Sequence, residues 1–234
     1  MWPGLCANTG KFGHHRRTAC SDRTPPPGEN LAPWDLPCGG RRFSVAPAVY
    51  GCYVALVKFY AQTKRYDKAL EKLEQAKNVN AKNLGVHMLI GMIHEMRKDV
   101  PQAQAAYEKV LEINPRFGPA ANNLAYLYSE YGGDKEKALQ LAQTAKEVLP
   151  EDPRISDTLG WILYKRGIYE RAVSLLRESA EKLGDNAEVQ YHLGMAYLKT
   201  GNPQAAKDSL ANALKLSESF TGVEEAKRVL ADLN

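Results

Sequence analysis

The feature that most constrains this chain is a pattern it writes more than once at a fixed spacing. Asp157 to Leu176 reads DTLGWILYKRGIYERAVSLL, and Tyr191 to Leu210 reads YHLGMAYLKTGNPQAAKDSL. Leu159 and Gly160 return as Leu193 and Gly194, Lys165 as Lys199, Gly167 as Gly201, Ala172 as Ala206 and Leu176 as Leu210, each 34 residues on. A period of this length means that one supersecondary unit is stacked on copies of itself, each burying an apolar face it cannot bury alone. From Tyr50 onward Ala, Leu, Lys and Glu dominate with apolar residues at helical spacing. The runs are cut by NVNAKN, NPRFGP, YGGD, LPEDP, LGDN and TGNP. A helix of roughly a dozen residues is marginal in water, so these helices must pack on one another.

The register predicts five helix pairs, over residues 50–83, 84–117, 118–152, 153–186 and 187–220, and a capping helix over 221–234. The third copy is one residue longer, at YGGD. Gly91, Gly160 and Gly194 on the first helices, and Ala69, Ala103, Ala138, Ala172 and Ala206 on the second, are the positions where a neighbouring helix comes close. Gly167 and Gly201 suit the turn within a pair. Pro115 and Pro150 stand where a helix should stop.

A 34-residue helix pair with Leu-Gly or Leu-Ala followed by an aromatic resembles the tetratricopeptide repeat (TPR) family. The five copies cover about three-quarters of the chain. Some positions depart from the family pattern. Tyr53, His87, Ala121, Ser156 and Gln190 stand where the family commonly has Trp, and Ala81, Gly184 and Glu218 replace its terminal Pro. The resemblance implies an all-α, right-handed α-solenoid whose first helices line a concave face that holds a protein or peptide. Residues pointing inward would be Lys58, Met88, Met92, Met96, Asn122, Asn123, Tyr126, Asp157, Trp161, Lys165, Tyr191, Met195 and Lys199.

Met88, Met92 and Met96 recur every four residues and so share one face of their helix. Methionine is adaptable and suits promiscuous contact. Trp161 and Tyr126 would be neighbours across adjacent copies. Central aromatics with a polar edge often dominate binding, although Trp161 could equally pack between helices. Asn122 and Asn123 could bond an extended peptide's main chain. The carboxylate clamp of chaperone-binding relatives is not reproduced, because Val54, Met88 and Met92 interrupt it.

Residues 1–49 break every periodic template, with TPPPGEN, APWDLPCGG and HHRR, and read as an irregular or disordered segment, with two readings open: a stretch foreign to the native domain, or a functional basic tail. They hold six basic and three acidic residues of the chain's 31 and 27, leaving the repeats nearly neutral. Nucleic-acid binding by phosphate neutralisation would need a basic face, and none is expected. Cys6, Cys20, Cys38 and Cys52 have no metal-knuckle spacing. IHEMRKD lacks the second His of a zinc-protease motif, and no phosphate loop, nucleophile elbow or dinucleotide fingerprint is present. The expectation is a binding protein without catalytic residues, metal or cofactor.

No stretch is long and apolar enough for a membrane span. The N-terminus lacks a signal's apolar run. As written the chain reads as cytoplasmic, or as periplasmic or envelope-associated if a signal is missing. SDTLGWILYKRG, AVSLLRESAEKLGDNAEVQYHLGMAYLKTG and EEAKRVLADL resemble the C-terminal part of bacterial envelope TPR proteins of exopolysaccharide export and PEP-CTERM sorting. Two other readings stay open: a substrate-presenting segment of a larger enzyme such as a glycosyltransferase, and self-association through the concave or end surface.

Overall fold

The computed structural model describes residues 59–60 and 62–233. Lys58, and the readings made for residues 1–49, Cys52, Tyr53 and Val54, lie outside them. The described chain is all-helical: α1 (Tyr66–Val79), α2 (Leu84–Met96), α3 (Val100–Ile113), α4 (Gly118–Glu130), α5 (Lys135–Val148), α6 (Pro153–Lys165), α7 (Tyr169–Lys182), α8 (Ala187–Lys199), α9 (Pro203–Leu216) and α10 (Val223–Asp232). Among the described residues there is no strand, and no helix is long and apolar enough to cross a membrane. Helices α2/α3, α4/α5, α6/α7 and α8/α9 form the antiparallel pairs, and each pair packs on the next to make the α-solenoid.

Local chemistry sets where each helix starts and stops. Asn83, Asp134, Asp152 and Asn186 cap α2, α5, α6 and α8 by accepting from backbone amides at the helix start. Pro153 and Pro203 open α6 and α9, where a missing N–H costs nothing. The turn inside each pair needs one left-handed residue. Gly132, Gly167 and Gly201 supply it with φ of 87°, 79° and 75°. In the two earlier turns it is a lysine, Lys64 at 55° and Lys98 at 61°.

Small residues then meet large ones. Ala69, Ala103, Ala138, Ala172 and Ala206 are essentially inaccessible. Gly160 faces Leu176 and Gly194 faces Leu210, while Gly91 lies against the Tyr107 ring. A Cβ at any of the three would come within 3.0 Å of those side chains, so the helices touch where the side chain is missing.

The departures from the family pattern compensate one another. His87 Nε2 lies 2.8 Å from the Ala81 carbonyl, and Gln190 Nε2 donates to the Gly184 carbonyl at 3.2 Å. In each case a polar residue at the Trp position bonds the backbone of the residue that replaces Pro. At the intervening junction, Ser156 is fully buried. There Lys146 Nζ donates to the Pro150 carbonyl, to Ser156 Oγ and to Glu178 Oε1 at 2.6–2.8 Å.

Candidate functional site

The inward positions of the first helices fall into two halves of different character. In the earlier half, α2 carries the methionine stripe. Met88 and Met92 are half-buried and pack against the cluster that contains Leu124 and Ala125 of α4, while Met96 is 45% exposed. Beside them a polar chain runs between helices. Tyr107 of α3 donates to Glu95 at 2.5 Å, and Asn123 of α4 donates to the Tyr107 hydroxyl at 3.1 Å. Burial pushes the Glu95 carboxyl up despite the Tyr107 bond, and burial beside Glu95 pushes the Tyr107 phenol up as well. Asn122 sits at the end of this chain. Its amide reaches Asn123 Oδ1 only at 3.5 Å, and its own Oδ1 is buried with no partner. A buried acceptor left unpaired is uncommon in a folded protein.

The later half is filled by the protein's own side chains. Trp161 of α6 is 7% exposed. It stacks on Tyr164 at 4.7 Å and on His192 of α8 at 4.1 Å, and Tyr191 tilts against it at 5.6 Å. Its Nε1 donates to Glu130 of α4 at 2.9 Å, and Lys165 Nζ donates to the same oxygen at 2.6 Å while lying 5.5 Å from the Trp161 ring. Tyr126 of α4 reaches past α6 to Glu188 of α8, donating at 3.0 Å. Tyr191 donates to Glu225 of α10 at 2.7 Å and packs on Phe220. Met195 and Ala226 complete this cluster. The Tyr126 and Tyr191 phenols are pushed up by burial and nearby carboxylates; Tyr164 is pushed up to about 12 by burial, with Glu225 next.

The expectation that Trp161, Tyr191 and Met195 line an open groove is therefore corrected. All three are buried: Trp161 lies against Tyr164, Tyr191 and His192, and Tyr191 lies under Phe220 and the start of α10. Met88, Met92, Met96, Asn122, Asn123 and Tyr126 remain at least partly accessible, and Lys199 is exposed. Asp157 and Lys165 are taken up in pairs with His192 and Glu130. Sequence reasoning missed Glu130, Glu188 and His192. The signal for His192 was available: it follows Asp157 by 35 residues, one period plus one, which sets the two on neighbouring first helices at adjoining register positions. Among the described residues no group of three His, Cys, Asp or Glu could hold a metal ion.

These observations define a class: an α-solenoid of antiparallel helix pairs whose inner face carries the chemistry. The family's sequence profile, described as tetratricopeptide repeat, matches residues 96–162 and 163–218, more than half of the chain. The chain belongs to the tetratricopeptide repeat family. It is 26% identical over 142 residues to the TPR repeat-containing protein PA4667 of Pseudomonas aeruginosa, covering 61% of this chain and 24% of that protein. The chain thus spans about a quarter of that relative's length. Among solved structures, PilW, a widely conserved type IV pilus biogenesis factor, aligns with a TM-score of 0.64 at 16% identity, covering 80% of this chain and 91% of that one. YrrB, a TPR protein with an unusual peptide-binding site, aligns with a TM-score of 0.55 at 19% identity, covering 75% and 90%. At these identities the structures share the fold.

Proposed function

We propose that the chain is a protein-interaction scaffold that holds an extended peptide on the earlier half of its inner face, over Met88, Met92, Met96, Asn122 and Asn123. The observation that carries this reading is the contrast between the halves. The later half is packed shut, whereas the earlier half leaves adaptable methionine side chains within reach of solvent. Methionines adapt to varied apolar side chains, and Asn122, whose buried amide oxygen has no partner, gains one when its side chain turns outward to a peptide main-chain N–H. The peptide-binding site named for YrrB, a protein of the same fold, supports the reading.

The test is a displayed-peptide selection against the full chain, followed by calorimetry of a selected peptide. Met92→Lys and Asn122→Ala should each weaken binding at least about tenfold, a loss of about 1.4 kcal/mol, with unchanged helicity, whereas Lys199→Ala should bind as the parent does. Undiminished binding to both of the first two variants would refute the site.

The finer reading is a scaffold for exopolysaccharide assembly in the bacterial envelope. It rests on the sequence resemblance of the segments around Trp161 and Tyr191, and loss of surface polysaccharide on gene deletion checks it. A second reading, a substrate-presenting segment of a larger enzyme, is favoured by the 23% identity over 169 residues to the protein O-mannosyl-transferase TMTC3 of Homo sapiens, of which the chain covers 18%. A catalytic domain encoded in the same reading frame would decide for it.

A further inference from the structure

The chemistry of the later half goes beyond packing. His192 is the one histidine among the described residues that is both inaccessible to solvent and ion-paired: its side chain is 2% exposed, and Nδ1 lies 2.9 Å from Asp157 Oδ1. The pair joins α6 to α8, and the imidazole also stacks on the Trp161 indole at 4.1 Å and 17°. We propose that His192, Asp157 and Trp161 form a proton-operated latch: with His192 charged, the pair clamps α6 to α8 and holds the later half of the inner face shut, and with His192 neutral the clamp slackens.

The groups around the imidazole come from every neighbouring element. From α6 there are Asp157, Trp161 and Tyr164, which stacks on the indole, and Lys165 lies next to the indole as an opposing cation. From α4 come Glu130, which holds the indole Nε1, and Tyr126, which holds Glu188. On α8 itself are Glu188 and Tyr191, and α10 adds Glu225, bonded to Tyr191. From α7 the Tyr169 ring lies 5.7 Å from that of Tyr164, and α9 adds the neutral Leu210 and Ala213.

Burial opposes a charge on the imidazole. The Asp157 carboxylate, with Glu188 and Glu130 beyond it, outweighs burial and raises the affinity for the proton above that of an ordinary histidine. A stacked indole face also favours a cation. The sign follows. A group whose folded-state pKa is raised adds stability that is full below the unfolded value, about 6.5 for histidine, and that is lost as pH rises through the folded value. The clamp is thus tight in mild acid and slack in alkali, and its release frees the surface that Trp161, Tyr191 and Met195 now fill.

The experiment uses the full chain with Trp2→Phe and Trp34→Phe, which leaves Trp161 as the sole tryptophan. His192 is titrated by imidazole NMR between pH 5 and 9, and the exposure of Trp161 is followed by acrylamide quenching. The imidazole should titrate above the ordinary histidine value, and quenching should rise with the same midpoint. Asp157→Asn should lower that midpoint, and His192→Gln should abolish the quenching transition. If His192→Gln does not fold, Asp157→Asn carries the test alone. Quenching that stays flat across the titration, or a midpoint that Asp157→Asn leaves in place, overturns the latch.

Discussion

The contact between Gly160 and Leu176 is the sharpest test of how the helices in a pair fit. A Cβ built at Gly160 would lie 2.8 Å from Leu176 Cγ, 3.1 Å from Leu176 Cδ2 and 3.3 Å from the Ala172 carbonyl oxygen. Gly160→Ala gains about 1 kcal/mol of helix propensity. Against that stands an overpacking cost of about 1–3 kcal/mol. The cost should lie in the upper part of that range, because Ala172 contributes backbone and Leu176 is fully buried. We predict a net loss of about 1–2 kcal/mol, which lowers the melting temperature by a few degrees at about 2–4 °C per kcal/mol for a chain of this size. Leu176→Ala alone should cost about 2–5 kcal/mol. In the double variant the new methyl enters space that Leu176 has left, so the two losses should fall short of additivity by about 1 kcal/mol. Urea denaturation followed by circular dichroism measures all four proteins. Strict additivity, or a Gly160→Ala protein stabilised by its full propensity gain, would show that the helices do not touch here. Gly160→Leu should lose more than Gly160→Ala, and unchanged melting would contradict the register itself.

Three further outcomes follow from the structure. Trp161→Ala should cost about 3–5 kcal/mol, because a buried indole is deleted and Glu130 loses its N–H donor; intact thermal stability would return Trp161 to the surface. Lys98→Gly should raise stability by about 0.5–1 kcal/mol, since φ of 61° is unfavourable for lysine; a lower denaturation midpoint would contradict this. Glu178, held below the usual carboxylate range first by Lys146, adds stability above its unfolded pKa that is lost as pH falls through the folded one. Glu178→Gln should therefore flatten the acid limb of the stability–pH profile, and an unchanged limb would count against the Lys146 pairing.

The solenoid was legible because its determinants recur. Gly160 and Gly194, and the alanines from Ala69 to Ala206, mark close approach in one copy after another, and the left-handed turns at Gly167 and Gly201 are readable from residue type alone. The burial of Trp161 was not legible. The inward position that Trp161 occupies is open or closed depending on what the next first helix lays over it, and here Tyr191 and His192 of α8 do so. The polar pairs that cross from one copy to another were hidden for a related reason. Tyr126 to Glu188 spans 62 residues and Asp157 to His192 spans 35, so neither shows as a local motif. The bonds from His87 and Gln190 to Ala81 and Gly184 were half visible: both ends stood out as departures from the family pattern, but only the fold joins them.

The division of the inner face can be measured directly, because the five methionines report on it: Met1, Met88, Met92, Met96 and Met195. With methyl-labelled methionine and a soluble paramagnetic probe, the Met96 resonance should broaden most, those of Met88 and Met92 measurably, and that of Met195 hardly at all. A Met195 signal that broadens as strongly as Met96, or Met88 and Met92 signals as protected as Met195, would contradict an inner face that is open in its earlier half and filled in its later one.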